Sequence, residues 1–265
     1  MSDISLKLIY GLKNGIIKHI SEVESGLACG CVCPACGDRL IAKKGTVVKH
    51  HFAHQSKEPC EHGLETALHL AAKEIIASAK EMIIPQVRVV FPQGCKHSVL
   101  IHESMMVKID RVELEKRFDN IVPDIAVYSG NKKFFIEIFV THAIDERKLK
   151  KIKDMDVSTI EIDLSKMNDF SKMEMAKVVL GDSPRKIWKY NRAEEKLLQK
   201  YMASSEKLWI KERGCAMHVD NCPKKMRTWH GKIYANVIDD CFYCESLISL
   251  ERESNYILCI GKQDE

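Results

Sequence analysis

The sequence predicts an α/β protein, a mixed β-sheet flanked by helices, with a small metal-held segment at each end. Three observations carry this. A stretch of helical spacing from Glu65 to Lys80 is followed by several strand-like runs, a lysine-rich helical run and one more strand. Cysteines and histidines cluster near both ends of the chain. With 265 residues and 45% hydrophobic content, the chain can bury one large core carrying small appendages.

Taken in order, Leu6 to Ile20 reads as a short hairpin turning through Gly11-Leu12-Lys13-Asn14-Gly15. From Cys29 to His62 the chain is too polar to bury a core, so a metal must hold it. Within it, Arg39 to Gly45 reads as a small strand and turn. Leu68, Ala72, Ile75, Ile76 and Ala79 give the next segment an apolar helical face, and Pro85 ends any continuation. Strands are predicted at Val87–Phe91, Val99–His102, Met105–Val112, Ile125–Tyr128 and Phe134–Val140. A helix is predicted at Asp145–Met155 and a strand at Val157–Leu164, where Ile160 and Ile162 alternate with Glu161 and Asp163. Residues after Ser165 read as helices to about Leu208, with Trp188, Leu197 and Leu198 available for packing. The expected domains are 1–63, a hairpin with a zinc-finger-like segment; 64–165, the core; 166–210, a helical connector; and 211–265, a zinc-ribbon-like segment.

The formal charge of +4 does not by itself imply nucleic acid. The basic runs Lys43-Lys44, Lys148 to Lys153 and Lys224 to Arg227 are more local signals. No apolar stretch approaches the ~18 residues of a membrane span, and the first residues lack a basic start followed by a long apolar run. The expectation is a cytoplasmic protein, away from membranes, with reduced thiols. Only Cys95 and Cys259 fall outside the two clusters, so metal binding explains the clustering better than disulfides.

Cys33-Pro-Ala-Cys36 has the spacing of a knuckle that turns two sulfurs onto one tetrahedral ion. His54 and Cys60 are the expected partners, because a loop of that length folds back onto the knuckle; His51 is the main rival, and Cys29 and Cys31 are spare. Cys241-Phe-Tyr-Cys244 is a second knuckle, and with Cys215 and Cys222 it makes a four-thiolate site in which His218 could replace Cys215. Closed sites of this kind are structural, one zinc in each. A zinc deaminase is excluded, because it needs H-x-E with P-C-x-x-C in register.

Between the clusters, Asp124 opens one strand and Glu137 lies in the next, with twelve residues between them, enough for a hairpin through Ser129-Gly130-Asn131. The pairing brings two carboxylates to one face, where with waters and a phosphate oxygen they would complete an octahedral Mg²⁺ or Mn²⁺. Ile136, Ile138 and Val140 share one face of the strand, and Glu137, Phe139 and Thr141 the other. A carboxylate in an otherwise apolar strand is costly without a partner. Glu65 and His69 lie four apart on the first helix, share a face and could reach the metal or a phosphate.

Pro123-Asp124 with Glu137-Ile138-Phe139, after a helix carrying Glu65, resembles the PD-(D/E)XK nuclease superfamily. Cys33-Pro-Ala-Cys36 through His51-Phe52-Ala53-His54 resembles the zinc-finger start of the competence protein CoiA-like family, which carries such a nuclease domain. The resemblance covers roughly residues 25 to 164 and leaves out the C-terminal cluster. It implies a restriction-endonuclease-like sheet and cleavage of DNA phosphodiesters at a metal held by Asp124 and Glu137. Glu65 would orient a water or complete the metal shell, His69 would contact phosphate, and Lys148 would polarise the nucleophile. One position departs from the pattern: the superfamily's lysine should stand two residues after the glutamate, where this chain has Phe139. Lys148 could reach back from the next helix, and Thr141 and His142 are further candidates. Phe139 also favours a rival reading, a non-catalytic zinc-stabilised DNA-binding or adaptor module. DNA is the expected partner; a protein partner or a second copy is left open, as is the setting among DNA uptake, recombination and antiviral defence.

Overall fold

The computed structural model describes residues 7–56, 58, 60–91 and 97–261, so Leu6 and Cys95 lie outside the described residues. The chain divides into two compact units, residues 1–85 with 104–190, and residues 86–103 with 191–265.

The first unit opens with the hairpin β1 (Tyr10–Lys13) and β2 (Ile16–His19). It turns at Asn14-Gly15, with φ of 53° and 77°. Two positive φ values suit a turn that matches strand twist, so Gly11 to Lys13 lie in the strand and not in the turn expected of them. β3 (Leu40–Lys43) pairs antiparallel with β4 (His51–His54), placing Leu40 opposite His54. α1 (Gly63–Ser78) buries Leu68, Ala72, Ile75 and Ile76. β5 (Glu81–Ile84) follows, and the hairpin of β6 (Val87–Val90) and β7 (Ser98–His102) belongs to the second unit. The run expected as one strand from Met105 to Val112 is two: β8 (Met105–Lys108) pairs with β5, and β9 (Arg111–Leu114) joins the main sheet. The break falls at Asp110, whose carboxylate accepts the Gly130 amide at 2.6 Å.

β10 (Ile125–Ser129) and β11 (Lys132–Phe139) form an antiparallel hairpin. α2 (Glu146–Asp154) leads to β12 (Thr159–Asp163), which lies parallel to β11. After α3 (Lys172–Leu180), β13 (Lys186–Tyr190) pairs antiparallel with β12. The five-stranded order is β13-β12-β11-β10-β9. β13 corrects the expectation of a helical connector over 166–210. Lys-Ile-Trp-Lys-Tyr carries strand periodicity just after Pro184, and Trp188 stacks edge-on against Phe134 with ring centroids 6.4 Å apart. Trp188 also donates its indole N–H to the Pro85 carbonyl at 3.1 Å.

The sheet is covered on both faces. Ile125, Ile136, Ile138, Ile160 and Ile162 share a core with the apolar side of α1 and with Met175 and Val179 of α3. Ala126 and Phe135 pack with Ile152 of α2, Val157 and Tyr190. This explains the near-continuous apolar run of β11, in which an embedded charge must find a partner at the strand's end.

The second unit holds α4 (Arg192–Ser204), capped by Asn191, whose side-chain oxygen accepts the Ala193 and Glu194 amides. β14 (Glu206–Arg213), β15 (Ala216–Asp220), β16 (Arg227–Trp229), β17 (Lys232–Asn236), β18 (Leu247–Glu251) and β19 (Tyr256–Cys259) form a sheet ordered β16-β17-β15-β14-β19-β18. One core gathers Ile210, Val219, Ala235, Val237, Leu250 and Ile257 with three cysteines. Another sets Val89, Phe91 and Ile248 against Leu197, Leu198 and Tyr201. Among the described residues no helix is long and apolar enough to cross a membrane.

Candidate metal centres and carboxylate site

Cys33, Cys36, His54 and Cys60 bring one ligand atom each to within 4.8 Å of one another. Among the described residues no other group of three or more Cys, His, Asp or Glu side chains converges in this way. The knuckle forms because Gly37, at φ 76°, turns the chain so that its amide reaches the Cys33 carbonyl at 2.9 Å. The Ala35 and Cys36 amides point at the Cys33 sulfur. Cys33 and Cys60 sulfurs stand 3.8 Å apart, about the ~3.8 Å edge of a tetrahedron with ~2.3 Å metal–sulfur bonds. His54 Nε2 is buried with no hydrogen-bond partner, as an unfilled ligand nitrogen would be. Burial pushes the Cys33 thiol up to about 11, so a cation is needed to hold it as thiolate. His51 instead directs Nδ1 to the Lys49 carbonyl at 2.9 Å. The cluster could therefore hold a metal such as zinc.

This cluster also seats α1. A Cβ on Gly63 would stand 3.2 Å from the Cys60 sulfur and 3.4 Å from the Cys33 sulfur, so a side chain there would press on both sulfurs, and glycine lets the helix start close to them. Glu65, His69 and Lys73 then follow at four-residue intervals along one side of the helix.

The register of β10 and β11 pairs Ile125 with Ile136. Continued by one residue, it sets Asp124 across from Glu137. Asp124 Oδ2 accepts the Ile138 amide at 2.9 Å and lies 3.5 Å from His69 Nδ1, and Oδ1 lies 2.8 Å from Lys73 Nζ. Burial favours the protonated acid, but His69, Lys73 and the amide outweigh it and hold Asp124 well below the usual carboxylate range. Lys73 is 5% exposed and also meets Glu115 at 2.8 Å. Burial disfavours its charge, yet the two carboxylates raise its pKa.

Glu137 is 6% exposed. Its Oε2 lies 2.7 Å from Lys148 Nζ, and its Oε1 is buried without a partner. Burial and the neighbouring Asp124 charge push Glu137 up to about 7 against the pull of Lys148. Lys148 reaches this point because Asp145 caps α2, accepting the Lys148 amide at 2.7 Å, and because the Ile144 amide is tied to Glu161 Oε2 at 2.9 Å. Thr141 donates to Glu65, and this bond, with weaker help from His142, lowers the Glu65 pKa. Arg147, Lys148 and Lys151 line an open groove of about 360 Å³ with Asn120, Ile121, Val122 and Asp145.

Of the residues singled out in sequence, Asp124, Glu137, His69 and Lys148 thus meet in one network, and Glu65 stands with Thr141 and His142. Phe139 occupies the lysine's expected place. Sequence reasoning missed Lys73, Glu115 and Glu161. Lys73 is the next four-residue step after Glu65 and His69, but its burial is set by partners distant in sequence; Glu161 is the parallel neighbour of Glu137.

The C-terminal set is rearranged. Cys215 is exposed in the turn after Gly214, and Cys222 follows the other end of β15. The five residues of β15 hold them roughly 17 Å apart, so the expected grouping of Cys215 with Cys222, Cys241 and Cys244 is corrected. Cys259, set aside in sequence, joins the last three around a small cavity. His218 stacks edge-on with Tyr234, ring centroids 5.2 Å apart.

Residues 18–63 match the sequence model of the competence protein CoiA N-terminal domain. The match runs from the second half of β2 through the cysteine–histidine cluster to the first residue of α1, and supports the CoiA family over that segment. No curated protein and no solved structure matches the chain.

Proposed function

We propose that the chain is a metal-dependent nuclease that hydrolyses DNA phosphodiester bonds at Asp124 and Glu137, with Mg²⁺ or Mn²⁺ as cofactor. The observation that carries this reading is the buried carboxylate pair, one member of which leaves an oxygen without a partner and is bound by Lys148, a residue of the basic groove. The residues fit a hard cation: Asp124 is held ionised, and Glu137 Oε1 has unused acceptor capacity. When bound, such an ion supplies charge neutralisation at the phosphate and a more acidic water. The chain's own groups do the rest. Lys73, His69 and the Ile138 amide fix Asp124 in one orientation. Lys148, anchored on Glu137, presents an ammonium at the position from which a nucleophilic water is oriented. Glu65, fixed by Thr141, orients that water from α1. Arg147 and Lys151 contact phosphates, a source of affinity without sequence information. The CoiA match supports a setting in DNA uptake or processing; a role in defence against foreign DNA is compatible with the same chemistry.

One observation favours a second reading. Lys73 and Lys148 already neutralise the carboxylates, and Phe139 replaces the usual lysine, as in a scaffold that binds DNA without cutting it. The test is cleavage of plasmid and linear DNA with Mg²⁺ or Mn²⁺ and with chelator, comparing the native chain with Asp124→Ala. Metal-dependent cutting that the substitution abolishes is the expected result. Salt-dependent DNA binding with no cutting would move the second reading ahead.

A further inference from the structure

We propose that Cys222, Cys241, Cys244 and Cys259 hold a second metal ion, a tetrahedral four-thiolate zinc that closes the C-terminal sheet. The four cysteines line one cavity of about 10 Å³, room for roughly one water-sized sphere. They arrive from three pieces of backbone. Cys222 opens a tight turn in which the Lys225 amide bonds to the Cys222 carbonyl at 2.9 Å, with Lys225 at φ 51°. Cys241 and Cys244 share a single 3-10 turn, closed by the Cys244 amide on the Cys241 carbonyl at 3.0 Å. Cys259 ends β19, beside Leu247 of β18.

Two further contacts bring Cys259 to the group. The Gly261 amide donates to the Cys259 sulfur at 3.4 Å, the kind of donor that supports a thiolate ligand. A Cβ on Gly261 would lie 3.3 Å from that sulfur and 3.4 Å from Pro223, so the end of β19 lies directly against the Cys222 turn. Cys222, Cys241 and Cys259 are each under 9% exposed. Soft thiolates in a closed set of four select zinc and leave no open position for chemistry. No three of these sulfurs lie within 4.8 Å of one another in the structure, so binding would displace the thiol protons and draw the sulfurs inward around the cavity to the ~2.3 Å bonds of such a site.

The test is metal content of the full chain, prepared with zinc, by elemental mass spectrometry. The native chain and Cys215→Ser should each carry two zinc ions, and Cys259→Ser one. A native chain with one zinc, a Cys259→Ser chain that keeps two, or a Cys215→Ser chain that falls to one would each overturn the proposal. Because Cys259→Ser could fail to fold, the native chain is also alkylated before and after chelation and mapped by mass spectrometry. Cys222, Cys241, Cys244 and Cys259 should become reactive together only after chelation, while Cys215 reacts in both states. Labelling of Cys259 that is indifferent to chelator would mean a buried core thiol and no ligand.

Discussion

Helix α1 begins against Cys33, His54 and Cys60, and further along it presents His69 and Lys73 to Asp124. The two regions handle ligand chemistry in opposite ways. The first gathers three sulfurs and an imidazole and leaves His54 Nε2 without a hydrogen-bond partner. The second pairs Asp124 with Lys73 and Glu137 with Lys148, and leaves Glu137 Oε1 buried without a partner. The first region has the geometry and the unpartnered nitrogen of a site that a metal could complete. The second is held by its own ion pairs, so under the nuclease reading a metal there would serve chemistry and not folding.

That contrast predicts very different costs of metal removal. A structural zinc supplies on the order of 10 kcal/mol to a small segment. Chelation, or Cys33→Ser, should therefore open residues 29–62 to proteolysis and to amide exchange, while the amides of β10 and β11 stay protected. An unchanged digestion pattern after verified zinc loss would break the comparison on its first side.

The second side is tested by removing an internal cation. Lys73→Met leaves Asp124 and Glu115 without their ammonium, and unpairing a buried ion pair costs about 3–5 kcal/mol. Urea denaturation should show a loss of that size, whatever metal is present. A loss under ~1 kcal/mol would mean that Asp124 is not stabilised through Lys73. Lys148→Met should be milder for the fold, since Lys148 is 30% exposed at its side chain. Under the nuclease reading it lowers cleavage by roughly a hundredfold, about 2.7 kcal/mol in the barrier, with DNA affinity little changed. Equal losses of binding and cutting would make Lys148 a phosphate contact only.

Much of this geometry was legible before any coordinates. Strand alternation put Glu137 on the opposite face from Ile136 and Ile138, and loop length put Asp124 in the neighbouring strand. A lysine eleven residues after Glu137, at the start of a helix, was within reach. Lys73 was not legible, because a lysine beside an apolar helical face ordinarily reads as solvated; its burial comes from Asp124 and Glu115, distant in sequence. Cys259 was missed for a similar reason. Its place beside Cys222 is set by strand pairing, which spacing along the chain does not reveal. β13 was missed because its five residues carry two lysines, one of which, Lys186, is buried.

Lys186 sharpens the comparison most finely, as a buried lysine outside both regions. It is 3% exposed, and its ammonium meets the Ile83 carbonyl at 2.7 Å. Burial pushes its pKa from 10.5 down to about 8, with Asp182 opposing weakly. Lys73, equally buried but beside two carboxylates, is shifted the other way. Between about pH 8 and 10.5 the unfolded chain binds more protons at Lys186 than the folded one, so stability should rise with pH across that window. Below about pH 8 the full penalty is present, up to about 3 kcal/mol for a fall from 10.5 to about 8. Lys186→Met removes it at the loss of a hydrogen bond worth about 1 kcal/mol. The variant should therefore be more stable than the native chain by about 2 kcal/mol near pH 7, and the gain should shrink toward pH 10. Denaturant unfolding at both pH values measures this; a gain that does not change with pH would point to packing alone, and a loss near pH 7 would show that the Ile83 contact outweighs the buried charge.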